Sequence, residues 1–407
     1  MEKAIEIARE WKPNIKLIYL ILLIVSTFVS VALMNFLLGI GLLYIIFAFL
    51  LGKDKIKIGL LGKYIILLST ITFTSTLVFN PQAIFEAFVE VGLLYIYFFP
   101  VDRNSSLKVL KDTYKATYMV GVVGLILFYY RHFFTGIEKM FWGKAFKAGR
   151  FFSIFSFLYL FHAIENFLRK KKVNLKLISH IVLFILSVCG IIVAGKRSFI
   201  LAFFLTSIIL ILLFSKLFQR KKVIIPILFV SIFTLASGVI YVSAERNYNL
   251  SHSSFKEIIQ LSSSNRDKIA LDAISIIKSD FTEGRIVNIL IGHGENCGAY
   301  LPHPYSLNHS QGKYESIFLL SEFVEKGLIG VLIEILIIYK VLLFIATLEK
   351  EKEKLFLLLW GSIPLVIHFF GMIFVFLKDP TLPTWLLMFR LSENANKGKN
   401  FLKGRES

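Results

Sequence analysis

Four cations and four acid–base side chains stand out by where they sit in the chain. Lys196 and Arg197 occupy the centre of Gly195-Lys196-Arg197-Ser198, a short turn between two long apolar runs. Two adjacent cations at the mouth of a helical bundle either hold an anion or snorkel to lipid headgroups. Arg150, at the start of another apolar run, offers the same two readings. Arg266 follows Ser264 and Asn265, either of which can cap a helix, so its guanidinium falls in a first turn. The helix dipole disfavours a cation there unless an anion joins it, and both helix N-termini and arginine take phosphate. The plain alternative for Arg266 is a solvated loop arginine.

Downstream lie His293, inside Ile291-Gly292-His293-Gly294 where the glycines predict a tight turn, then His303, His309 and Glu315. Histidine and carboxylate suit proton transfer near neutral pH. Each also reads as an ordinary polar loop residue. No pair of histidines with a carboxylate falls on one helix, so no metal is expected, and nothing calls for a cofactor. Glu86 and Glu90 share a helix face in one apolar run, and Glu334 lies deep in another. Carboxylates in such runs face a bundle interior and are functional candidates by default. Glu322 and Lys326 read more simply as an i,i+4 pair.

The elements that must position these groups are membrane spans. Of the 407 residues 56% are hydrophobic, and mean hydropathy is +0.71; soluble domains reach only about 45–50% apolar. Spans are predicted at about 17–34, 36–51, 63–79, 82–100, 116–130, 151–168, 177–194, 198–217, 223–243, 327–347 and 355–377. The first two are joined by Met34 and Asn35 as a tight hairpin. Thr384 to Leu391 is too short to cross alone: it is either part of a twelfth span begun near Phe374 or a half-helix behind Pro380 and Pro383. The fold class is therefore an all-α polytopic bundle of about 11–12 spans. It divides into an N-terminal bundle (1–243), a large loop (244–315), C-terminal spans (316–391) and a tail (392–407).

With the N-terminus in the cytoplasm, 30 Lys/Arg fall on the inner side against 15 on the outer. The positive-inside rule thus predicts a multi-pass plasma-membrane protein whose loop 244–315 is extracytoplasmic. Within the loop, Ala270, Ala273, Ile274 and Ile277 share one face, predicting a helix over 264–278. A second amphipathic helix is predicted from Tyr314 to Lys326, lying at the interface before the chain re-enters lipid at Gly327. The net charge of +19 does not indicate nucleic acid, because it is spread over short clusters between spans. Cys189 and Cys297 form no disulfide framework.

Taken in order, these features resemble the O-antigen polymerase/ligase superfamily, which includes capsule and exopolysaccharide repeat-unit polymerases. Four stretches carry the resemblance: Ala194-Gly195-Lys196-Arg197-Ser198; Ser264-Asn265-Arg266-Asp267 through Ile277; Ile291-Gly292-His293-Gly294-Glu295; and Glu315-Ser316 running to Glu325-Lys326-Gly327-Leu328-Ile329-Gly330. The chain departs from the pattern at Glu315, where many ligases carry histidine, which tilts the reading toward a polymerase.

The resemblance implies a glycosyltransferase whose donor is a polyprenyl-diphosphate-linked oligosaccharide and whose acceptor is a growing lipid-linked glycan. Arg197, Arg266, Lys196 and Arg150 would hold the diphosphate, and Glu315, His309 or His293 would take the acceptor proton. Partners would be the bilayer, a chain-length regulator and a flippase, with no nucleic acid. The alternatives are a glycan ligase that acts once, or a transporter. Transporters tend to show two similar halves, and no internal repeat is visible here.

Overall fold

The computed structural model describes residues 13–51, 58–137, 139–143, 145–170, 172–218, 266–305, 318–348, 352–371 and 379–396. Every regular element among them is helical. In chain order they are α1 (Pro13–Val29), α2 (Val31–Leu50), α3 (Gly62–Phe79), α4 (Ile84–Leu93, extended at both ends by 3₁₀ turns), α5 (Arg103–Thr135), α6 (Ala145–Lys170), α7 (Leu175–Val193), α8 (Arg197–Phe218), α9 (Arg266–Thr282), α10 (Ile286–Ile291), α11 (Phe318–Ala346), α12 (Lys352–Gly371) and α13 (Leu382–Asn396). Among the described residues, 8 helices are long and apolar enough to cross a membrane. This is a polytopic helical membrane protein. The predicted span at 223–243 lies outside the described residues.

Burial separates lipid-facing from central helices. α2 turns Phe36, Leu43, Phe47 and Phe49 outward, as a helix in hydrocarbon does. α6 is buried from Phe151 to Tyr159, and its Ser153 and Ser156 satisfy their hydroxyls on the carbonyls of Gly149 and Ser153. α12 packs against α13, α8 and α6, and α13 against α5 and α1.

The turn between the first two spans lies four residues earlier than predicted. Ser30, not Met34–Asn35, breaks the helix: its backbone is extended (φ −153°) and its Oγ accepts from Leu33 N. Tyr19 Oη donates to Leu37 O at 2.8 Å across the resulting hairpin. Serine wins because a hydroxyl cap satisfies a first-turn N–H, which an internal asparagine does not need to do.

The last apolar stretch lies in α13, which begins at Leu382, while Phe374 lies outside the described residues. Near its start Thr384 lies 3.1 Å from Thr27 of α1. Near its end Asn394 Nδ2 donates to Val101 O, and Glu393 accepts from Leu60 N and Tyr97 Oη. It therefore runs the depth of the bundle on 15 residues, nearly all of them buried. At 1.5 Å per residue that is about 22 Å. Arg390 and Glu393 pair at 2.9 Å inside it.

Candidate functional site

The chemistry gathers at the end of the bundle where the described part of the large loop sits, and it falls into two clusters. The first forms where α11 breaks. Gly327 has φ +65° and ψ −171°, and Gly292 in the loop has φ +79° and ψ −170°. Both lie in a backbone region that is essentially glycine's alone. Here the two backbones cross: a Cβ on Gly292 would stand 2.3 Å from the carbonyl of Glu325, and one on Gly327 would stand 2.4 Å from that of Leu290. The break frees carbonyls that the helix would otherwise use. Val324 O accepts from His293 N at 2.8 Å, and Glu325 O from Gly294 N at 3.0 Å. Ser75 and Thr76 of α3 complete the junction, Ser75 Oγ donating to Glu325 O and Glu295 N to Thr76 Oγ1.

The described part of the helix predicted before Gly327, from Phe318, is covered by the loop. Glu322, Glu325 and Lys326 are all buried, with Val324 packed against Ile269, Ala273 and Ile276 of α9. Burial follows because α9 turns its apolar face onto this helix rather than to water. Lys326 Nζ binds Glu322 and lies 3.9 Å from carboxylate oxygens of both Glu325 and Glu334. Glu295 also acts on Lys326, and Glu90 on Glu334. Lys326 thus stands among several carboxylates in a buried place, where ionised groups persist only when paired.

His293 is buried above this junction and is committed on both ring nitrogens. Its Nε2 is 2.8 Å from Asp280 Oδ2 and its Nδ1 is 3.1 Å from Asn288 Nδ2, while Tyr300 Oη donates to its carbonyl. An amide N–H on Nδ1 leaves Nε2 to donate to Asp280, so the ring knits α9 to α10. We expect His293→Ala to raise amide exchange across 286–294 by about 1–3 kcal/mol of local opening. Unchanged exchange there would mean that the network holds nothing.

The second cluster surrounds Arg150, which is wholly buried near the start of α6. Its Nη1 donates to Asp379 Oδ1 and Thr381 Oγ1, each at 2.6 Å. Its guanidinium carbon lies 5.6 Å and 5.4 Å from the rings of Phe146 and Phe199. Lys147 binds the other Asp379 oxygen. Burial alone would raise the Asp379 carboxyl, but Arg150, Lys147 and His368 overcome it and hold the group well below the usual carboxylate range. Arg150 Nε and Nη2 meet no acceptor among the described residues. Buried donors are rarely left so, and a guanidinium fork suits a multidentate oxyanion.

The Lys196–Arg197 turn closes on this cluster, since a Cβ on Gly149 would stand 3.6 Å from Lys196 Cβ and 3.3 Å from Phe199. The backbone of the Lys196–Arg197 turn therefore lies close to the start of α6 that carries Arg150, with the Lys196 side chain exposed. Arg266 opens α9, which packs on α10 and α11 beside the first cluster. Glu315 and His309 lie outside the described residues. His303 bonds the Gly298 carbonyl through Nε2 at 2.7 Å, within the loop. Asp379 and Lys147 escaped the sequence reading as site residues. The available signal for Asp379 was a lone acid in Lys378-Asp379-Pro380, between two apolar stretches.

No family profile matches the chain. An Aquifex aeolicus (strain VF5) protein described as "Uncharacterized protein" is 32% identical over 383 residues, covering 91% of this chain and 95% of its own. Identity at that level over nearly the whole of both sequences places the bundle, the broken helix and the loop in one lineage: the chain belongs to the family of this Aquifex protein.

Proposed function

We propose that the protein is a membrane glycosyltransferase that polymerises polyprenyl-diphosphate-linked oligosaccharide repeat units on the outer face of the plasma membrane. In this orientation the N-terminus is cytoplasmic and the loop 244–315 extracytoplasmic. The observation that carries the reading is Arg150, buried beside Lys147 and the Lys196–Arg197 turn, with two guanidinium nitrogens that no described acceptor meets. A diphosphate offers several charged oxygens that the forked N–H donors of such an arginine can meet. The acceptor hydroxyl attacks the anomeric carbon, the bond from that carbon to the diphosphate oxygen breaks, and polyprenyl diphosphate leaves with the electron pair. Arg150, Lys196, Arg197 and Arg266 stabilise the charge that develops on it. With both ring nitrogens of His293 engaged, the acceptor proton goes to Glu315 or His309.

One observation favours a second reading. A helix broken at Gly327 among buried carboxylates is also how transporters build coupling-ion sites. A single assay separates the two. The purified protein is given lipid-linked repeat units extracted from its host, and products are resolved by gel for wild type, Arg197→Ala and Arg266→Ala. The expected result is a ladder of chain lengths, reduced about 100-fold in the arginine variants at equal protein level. One discrete larger product would identify a ligase. Intact substrate with every variant would sink glycosyl transfer in favour of transport.

A further inference from the structure

At the end of the bundle opposite the loop, a cavity of about 850 Å³ opens between α5, α6, α7 and α12. That is ample for a ligand the size of a phospholipid headgroup or a nucleotide. Its walls carry Lys108, Lys111 and Lys115 of α5, Arg169 of α6, Lys176 of α7 and Lys354 of α12, set against the Glu165 carboxylate. The three α5 lysines stand at i, i+3 and i+7 on one helix face, where like charges repel. Lys176 and Lys354 lie in the first turns of α7 and α12, where the helix dipole adds further positive potential. An excess of lysine on this side follows from the general bias of membrane topology, but that bias calls for neither a cavity nor a polar floor.

The floor is polar. Tyr114 and His162 line it, stacked with ring centroids 4.0 Å apart. Tyr114 is only 4% exposed, yet its Oη and the Nε2 of His162 are buried without a hydrogen-bond partner among the described residues. Beside them Tyr118 Oη and His180 Nδ1 lie 2.9 Å apart, bracing the floor. A hydroxyl buried without a partner costs stability unless something enters to meet it.

We propose that this cavity is a binding site for a phosphate-bearing anion, with Lys108, Lys111, Lys115, Lys176 and Lys354 gripping the phosphate and Tyr114 Oη donating to it from below. The chemistry is shared by two sources, an anionic phospholipid headgroup and a soluble di- or polyphosphate. The site is remote from the Arg150 cluster and does not depend on the glycosyl-transfer reading.

The test is thermal unfolding and equilibrium binding of the full chain in a neutral detergent at fixed ionic strength. The probes are cardiolipin and inorganic pyrophosphate, with phosphatidylcholine and chloride as controls. Wild type should be stabilised by a phosphate probe and not by the controls. The combined Lys111→Gln, Lys176→Gln, Lys354→Gln variant should bind at least about tenfold more weakly. Tyr114→Phe should bind about three- to tenfold more weakly while melting as wild type does without ligand. Tighter binding of cardiolipin identifies the lipid source, and tighter binding of pyrophosphate the soluble one. Failure of both probes, or equal binding by wild type and variants, would overturn the proposal.

Discussion

Replacing Gly327 by alanine should leave little folded protein. The residue holds φ +65° and ψ −171°, and its new Cβ would stand 2.4 Å from the Leu290 carbonyl carbon. The backbone conformation alone costs about 1–3 kcal/mol for a residue with a side chain. The clash is with main chain, so it cannot be relieved by a rotamer. Moving either strand of the crossing breaks the bonds from His293 N and Gly294 N to the carbonyls of α11. Those carbonyls would then be buried without partners, at a further cost of about 1–3 kcal/mol each. Size-exclusion yield in detergent should fall by about an order of magnitude or more. Gly39→Ala is the control, since nothing lies within 4 Å of a Cβ there; it should be neutral or gain up to about 1 kcal/mol. A Gly327→Ala protein with wild-type yield and melting temperature would show that the crossing is not required.

Asp379→Ala should cost about 3–5 kcal/mol, because it leaves the Arg150 guanidinium buried with no counter-charge. Arg150→Met combined with Asp379→Leu should recover much of that loss, since apolar pairs replace buried ion pairs with little penalty. The double variant also separates structure from chemistry: it should fold and make no glycan ladder. If it folds no better than Asp379→Ala, the ion pair is not the reason for the loss. Acid adds an independent check. The folded Asp379 carboxyl is held below its unfolded value, which is about 3.9. Its contribution is therefore complete at neutral pH and above the unfolded value, and is lost only as the pH falls below about 4 toward the folded value. Wild type should show this acid limb in its thermal midpoint, and Asp379→Ala should lack it.

Sequence periodicity was enough to reveal the spans whose outer faces meet lipid, because hydropathy measures that contact. Of α13 only the apolar stretch Thr384 to Leu391 was legible, for the same reason. Its Arg390, Ser392 and Glu393 meet protein groups, so its polar residues interrupt the apolar run that hydropathy reads. The re-entry at Gly327 was legible from its glycine, but burial of the preceding helix was not. That burial depends on α9 folding back on it, far along the chain. The Lys196–Arg197 turn was legible by its position between two spans. The pairing of Arg150 with Asp379 was invisible, since 229 residues separate the two. Local patterns therefore showed where cations gather, and the fold alone showed which of them are neutralised.

The place of α13 has a consequence for biogenesis. It follows every other described helix in the chain, yet it fills the middle of the bundle. A segment carrying Arg390 and Glu393 is a poor substrate for insertion into bare lipid, because ionised side chains in a span are costly without partners. It enters at low cost only against a groove that already offers Thr27, Leu60 and Tyr97 as partners. The earlier helices must therefore wait in the bilayer, partly assembled, with that groove open. A chain cut short before residue 382 would keep its spans and lose its keystone, and so present membrane quality control with a polar slot facing lipid.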